Sequence, residues 1–381
     1  MRTYNYIYID DVTSTANDLV KGFNKEKLNI EVIQNKANWK DQIDNIIQNR
    51  DNIQGLILDL KLNDKTTADG LLADFMGSSI ATEIRSRQSS NEINFFPIIL
   101  ISANENIKKL FDFQESAIFD LIIDKGDITS DSFQSIEGRL CGLANAYNVL
   151  NILLGSTKIF NDETIKHLIN FDISNIDDRF LSAFDFILKK RKPDAIIKFI
   201  LNNLILHQGL LINEDVLAAR LGIDKNESSN WNAVVDYFKS CRYKGILCEG
   251  WDRWWMPLID DTWNNISNEA PYLQMLTAKE RVDILTKKTG IENIKVATKL
   301  PKAESSRFWT VCQAYNKPLD PVDGLMIIGQ ENLSPWLEPL YISIDGALKR
   351  KNHKNWLDIE KFEKLRLEPY KRYKQHEQRK Q

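Results

Sequence analysis

Leu56-Ile57-Leu58-Asp59 is a short, unbroken apolar run that ends on an acid. Three other segments in the first third of the chain follow the same pattern: Tyr6-Ile7-Tyr8-Ile9-Asp10-Asp11, Ile98-Ile99-Leu100-Ile101-Ser102-Ala103 and Leu121-Ile122-Ile123-Asp124-Lys125. A run that is apolar at every position and bounded by polar residues reads as a strand covered on both faces, as in a parallel sheet. Ligands of open α/β sheets bind beyond the carboxyl ends of the strands. The pattern therefore gathers Asp10, Asp11, Asp59, Ser102 and Lys125 at one edge and describes a site as much as a fold.

Helical signals lie between these runs. Thr13 to Val20 opens polar and continues with helical apolar spacing, and Trp39 to Ile47 gives a second helix after a strand at Leu28 to Ile33. Leu71 to Phe75, Ile80 to Arg85 and Ile107 to Phe119 also read as helix. Strand and helix thus alternate over residues 1 to 135, which predicts a doubly wound, flavodoxin-like sheet of five parallel strands.

Past residue 135 the pattern changes. Residues 136 to 205 lack strand signals and space apolar residues for helices, with a break near Pro193, so they are expected to form a helical connector. Between 206 and 262, Asn213 to Ile223 reads as a helix closed by Gly222, Asn230 to Ser240 as a second, and Ile246 to Cys248 with Trp254 to Leu258 as a hairpin. That order predicts a winged-helix-like element. Its second helix carries Lys239, Arg242 and Lys244 only near its end, beside Asp236, so protein contact is as good a reading as DNA contact. Residues 263 to 381 are expected to be α+β, with a helix at Leu276 to Lys288, a strand pair at Gly324 to Ile328 and Tyr341 to Ile344, and a basic tail.

Composition narrows the class. A chain of 381 residues has room for roughly two or three domains, and 43% hydrophobic residues are enough for ordinary cores. Cys141, Cys241, Cys248 and Cys312 are scattered, which argues against a zinc site or disulfide framework and for a reducing cytoplasm. Neither a leader-like segment nor a long apolar span is present, so no membrane role is expected. Net charge is -3, yet from Lys349 onward 12 Lys or Arg face 5 Asp or Glu, a basic tail on an acidic body.

Acidic side chains crowded at adjacent strand ends repel unless a cation lies among them. A hard divalent ion with oxygen ligands, Mg²⁺ above all, relieves that repulsion. Lys125 adds positive charge, Ser102 a hydroxyl donor, and central Asp59 is a carboxylate that can take a phosphoryl group as an acyl phosphate. Against this, the four histidines are isolated, Trp251, Trp254, Trp255 and Trp263 read as core, and Asp260-Asp261, Asp320 and Asp323 as turns and caps.

On these residues, positions 1 to about 135 resemble the receiver domain of bacterial two-component response regulators. The segment Gly77-Ser-Ser-Ile-Ala-Thr-Glu-Ile-Arg85 also matches that family's helix. The resemblance implies that Asp59 is phosphorylated by a histidine kinase, that Asp10, Asp11, Asp59 and the Lys61 carbonyl hold Mg²⁺, and that Ser102 and Lys125 bind the phosphoryl oxygens. Three features depart from the family: a longer stretch between Asp59 and Gly77, Gly126 where a proline usually follows the lysine, and Ile122 at a position commonly aromatic. The C-terminal region resembles no effector, which favours an interaction module, and receivers joined to unfamiliar regions resemble parts of bacterial conflict or phage-defence systems. A DNA-binding regulator and an unphosphorylated receiver-fold scaffold are the alternatives.

Overall fold

The structure is a computed structural model that describes residues 3–23, 25–67, 69–103, 118–157, 160–268, 271–349 and 358–370. It forms two compact units, one comprising Met1–Ile173, Leu181–Leu201 and Lys244–Trp251, the other Ser174–Phe180, Asn202–Tyr243 and Asp252–Gln381. These units cut across the boundaries expected at 135, 205 and 262.

The first unit is built on β1 (Tyr4–Asp10), α1 (Thr13–Val20), β2 (Leu28–Gln34), α2 (Trp39–Gln48), β3 (Gly55–Asp59), α3 (Gly77–Ser89), β4 (Ile98–Ser102) and β5 (Leu121–Asp124). The strands are all parallel in the order β2-β1-β3-β4-β5, which is the flavodoxin-like topology. Every residue of β3 and β4 is buried, as their unbroken apolar sequences require. Alternate side chains divide between the faces: Ile7, Ile9, Leu56, Leu58, Ile98 and Leu100 pack with Ile43 and Ile46 of α2 and Ile80 and Ile84 of α3. Each such buried side chain contributes about 1.5–3 kcal/mol. On the other face Tyr6 donates its hydroxyl to the Leu140 carbonyl at 2.7 Å.

Leu140 belongs to α4 (Phe133–Ser156), a helix of 24 residues that starts at the expected domain boundary and is part of the first unit. Near the amino ends of β4 and β5, its Tyr147 hydroxyl donates to Asp120 at 2.7 Å. The unit continues through α5 (Asp162–Ile169), most of α6 (Asp178–Lys189) and α7 (Pro193–Ile200), which begins at the expected Pro193 break.

Two sequence expectations fail here. Leu71 to Phe75 is not helical: Thr66 and Leu72 form an antiparallel bridge, and Thr67 donates its N–H to the Leu71 carbonyl at 2.8 Å around Gly70, whose φ is +74°. Ala73 and Phe75 nevertheless sink into the core, so their apolar character serves packing of a folded loop. Ile246 to Cys248 does not form a strand. It lies in turns, with Leu247 at φ +74°, and Ile246 donates to the Leu168 carbonyl at 2.9 Å. A Cβ on Gly138 would stand 2.6 Å from the Glu249 carbonyl oxygen, so a glycine face of α4 accepts this segment. The hairpin on which the winged-helix expectation rested is therefore absent. The expected helix at Ile107 to Phe119 lies almost wholly outside the described residues, as does most of the basic tail.

In the second unit β6 (Leu211–Ile212) pairs antiparallel with β7 (Trp254–Trp255). The two expected helices are present as α8 (Glu214–Leu221), capped by the Asn213 side chain and ended by Gly222, and α9 (Trp231–Tyr237). Then come α10 (Met256–Ser267), α11 (Ala278–Thr289) with a Thr277/Glu280 capping box, and a four-stranded sheet ordered β10-β11-β8-β9. Its strands are β8 (Thr310–Cys312), β9 (Lys317–Leu319), β10 (Gly324–Met326) and β11 (Tyr341–Ser343), followed by α12 (Ile344–Lys349). The pairing of β10 with β11 is the strand pair read in the sequence. Trp254 and Trp263 are core residues of this unit, Trp255 is buried in it, and Trp251 is buried in the first unit.

Asp320 and Asp323 serve turns as expected, accepting from the N–H groups of Val322 and of Glu304 and Ser305 respectively. Asp260 does not: it sits inside α10, and burial pushes its carboxyl up to about 6, despite the opposing pull of Arg220. An acid that holds its proton more tightly when folded loses stability as pH rises from its unfolded value through its folded one. Asp260→Asn is therefore expected to stabilise this unit by about 1 kcal/mol near pH 8 and to change nothing near pH 4. Urea midpoints at the two pH values read this directly, and an equal shift at both would contradict it.

Candidate functional site

The strand ends bring the five residues together as their sequence positions require. Asp10 closes β1, Asp59 closes β3 opposite Ile101, and Ser102 closes β4 opposite Asp124, one residue before Lys125. Lys125 is the electrostatic centre. Its ammonium donates to Asp10 Oδ2 at 2.8 Å and lies 2.9 Å from Asp59 Oδ1, bridging two strands.

Asp10 is fully buried and uses both oxygens, accepting from the Tyr8 hydroxyl at 2.7 Å, the Val12 N–H at 2.8 Å and Lys125. Asp59 also accepts the Lys61 N–H at 3.1 Å on Oδ2, and Asp11 accepts the Lys65 N–H at 2.8 Å. Burial raises the pKa of Asp59, which Lys125 counters only in part; burial also raises that of Asp11. Burial opposes the charge on Lys125, but its two carboxylate partners prevail and raise its pKa, so it remains an ammonium.

In front of buried Asp10 and Tyr8 lies one cleft of about 540 Å³, lined among others by Asp11, Asp59, Lys61, Asp64, Lys65, Ser102 and Lys125. Asp11, Asp59 and the Lys61 carbonyl are hard oxygen donors, the kind a small divalent cation takes. Among the described residues no three acidic, His or Cys side chains gather into a ready metal cage. Donors on the wall of an open cleft suit an ion that keeps several of its waters, as Mg²⁺ does.

Sequence reading missed three contributors. Tyr8 lies two residues before Asp10, hence on the same strand face, and that period was the available signal. Asp64 and Lys65 come from the long stretch after Asp59, which folds back onto the site: Asn35 donates its amide to the Leu62 carbonyl at 2.7 Å and Asp74 accepts the Trp39 N–H at 3.2 Å. No local motif announces such a return.

No family model matches the chain, and no curated protein matches it. Among the solved structures it resembles are response-regulator receiver domains. The CheY-like receiver domain from Methylobacillus flagellatus is 12% identical over 35% of this chain and 96% of its own, with a TM-score of 0.26. The receiver domain of AraT from Geobacillus stearothermophilus is 11% identical over 37% and 94%, with a TM-score of 0.27. The Mn²⁺-bound form of response regulator Rcp1 is 13% identical over 35% and 90%, with a TM-score of 0.25. The matched region is the N-terminal part of the chain. At such scores the fold of the first unit rests on its own strand order and register.

Gly77 holds the Asp59 end of β3 from behind. Its N–H donates to the Leu60 carbonyl at 3.0 Å, and a Cβ there would lie 2.0 Å from the Asp59 carbonyl oxygen. Backbone cannot yield as a flexible side chain would. Gly77→Ala is therefore expected to destabilise the first unit by about 1–3 kcal/mol and to slow any chemistry at Asp59. Urea midpoints and reaction rates check it; a variant equal to wild type in both would show that the contact is relieved without moving Asp59.

Proposed function

We propose that the chain is a response regulator in which Asp59 accepts a phosphoryl group from a histidine kinase and the C-terminal region delivers the response through a partner protein. The observation that carries this reading is the Lys125 ammonium bridging Asp10 and Asp59 at the carboxyl ends of β1, β3 and β5. A carboxylate oxygen of Asp59 attacks phosphorus, the bond from phosphorus to the donor nitrogen of the kinase breaks, and an acyl phosphate forms. Mg²⁺, held by Asp11, Asp59 and the Lys61 carbonyl with Asp10 behind them, would supply positive charge to the phosphoryl oxygens. Lys125 supplies the protein's own cation, and Ser102, buried at the end of β4, a hydroxyl that can donate to a phosphoryl oxygen. The Lys61 N–H and the Lys125 ammonium orient the Asp59 carboxylate.

A cytoplasmic setting agrees with the reduced cysteines. Among the described residues no helix is long and apolar enough to cross a membrane. The test is phosphoryl uptake from acetyl phosphate with Mg²⁺. Wild type is expected to take up one group per chain, and Asp59→Asn, or chelation of the metal, to abolish uptake. Uptake by Asp59→Asn equal to wild type would refute the assignment and leave the scaffold reading.

A further inference from the structure

A second cleft, of about 460 Å³, opens at the amino end of β4, the opposite edge of the sheet from Asp59. It lies between the loop after α3, the end of α4 and the turn from Lys190 to Pro193. Its volume is in the range of small-molecule sites. Its charge is one-sided: Lys190, Arg191 and Lys192 line it, and no Asp or Glu does among the described residues.

That turn is held in an unusual conformation. Arg191 is a non-glycine residue at φ +54°, a left-handed geometry that persists only where surrounding contacts enforce it. Its guanidinium donates to the carbonyls of Leu154 at 2.5 Å and Thr157 at 2.9 Å and stacks 4.8 Å from the Phe160 ring. Arg191 is thus the pin, and Lys190 and Lys192 are carried on either side of it. Neither lysine makes an ion pair among the described residues, and the Lys190 ammonium rests 4.7 Å from the centroid of the exposed Phe186 ring. The cleft also meets the start of α7 at Pro193, where the Asp194 carboxylate in the first turn already offsets the positive end of the helix, so the cleft's cations are the lysines and Arg191.

The rest of the lining is of another kind. Ile93, Phe95 and Leu154 give an apolar wall, while Asn91 and Asn94 place amides at its edge. A free inorganic anion would use the charge and leave the wall idle. A ligand joining a polyanion to a flat, weakly polar body with hydrogen-bonding edges uses all three.

We propose that this cleft binds a nucleoside diphosphate, its phosphates on Lys190 and Lys192 and its nucleoside along Ile93, Phe95 and Leu154. The test is calorimetric titration of the full chain with ADP, pyrophosphate and phosphate in EDTA at low salt, which keeps the Asp59 site free of metal. ADP is expected to bind once per chain, at least tenfold tighter than pyrophosphate, and to weaken as salt rises. Charge reversal of the exposed pair in Lys190→Glu with Lys192→Glu should weaken ADP at least tenfold while phosphoryl uptake at Asp59 is unchanged, and Asp59→Asn should bind ADP as wild type does. No saturable ADP binding, pyrophosphate binding as tightly as ADP, or binding indifferent to the double reversal would each overturn the proposal.

Discussion

Asp120→Ala is expected to cost the first unit about 3–5 kcal/mol. Asp120 immediately precedes β5, and its side chain is wholly buried. It takes the Arg85 guanidinium and the Ile98 N–H, at 2.8 Å, on one oxygen and the Tyr147 hydroxyl on the other. Arg85 in turn donates to the carbonyls of Ile118 and Phe96. One carboxylate therefore ties α3, the start of β4 and α4 together, and it raises the Arg85 pKa against the opposing effect of burial. Removing it strands a nearly buried cation and two donors, and the penalty for that exceeds what the intact pair contributes to folding. Replacing both charges, Arg85→Met with Asp120→Leu, should recover part of the loss and leave the Ile98 N–H still unpaired. Urea unfolding of the single and double variants measures this. A loss below about 1 kcal/mol for Asp120→Ala would show that water satisfies the cluster.

Lys125→Met is expected to slow phosphoryl uptake roughly 10²-fold, the usual scale for losing one preorganised electrostatic partner. The change keeps an unbranched stem of nearly the same reach and removes the ammonium that lies between Asp10 and Asp59. It also leaves fully buried Asp10 without its counter-ion, at a stability cost of about 3 kcal/mol. The two effects separate. Asp10→Asn added to Lys125→Met should restore stability without restoring uptake, because the neutral amide removes the stranded charge and returns none to the acceptor. Lys125→Arg should not rescue uptake either, since a planar fork cannot occupy the single point that an ammonium holds between two acids. Wild-type uptake by Lys125→Met would show that Lys125 acts only in folding.

The fold of the first unit was legible because its strands are buried on both faces. Ile98 to Ile101 has nowhere to go but a sheet interior, and the polar residue at its end marks the edge. The same period placed Asp10, Asp59 and Ser102 together, since parallel strands in register bring their carboxyl ends to one side. What escaped reading depends on distant contacts. Leu71 to Phe75 has helical spacing, yet the turn at Gly70 and the burial of Ala73 and Phe75 draw it into a loop. Ile246 to Cys248 has strand composition, but Gly138 and Gly142 of α4 offer it a closer seat than a hairpin partner would. In the second unit the first helix was readable from Asn213 to its closing Gly222, and β10 and β11 from their apolar runs, whereas β8 and β9, three residues each, carry too few residues for a period to show.

Everything proposed about signalling rests on one covalent event at one residue. Wild-type chain treated with acetyl phosphate and Mg²⁺, trapped by borohydride reduction and mapped by peptide mass spectrometry, tests it most directly. Modification is expected at Asp59 alone, with none at Asp10 or Asp11, and none when Mg²⁺ is withheld. Reduction product at another residue, or an unmodified Asp59 in a chain that remains folded, would contradict the account.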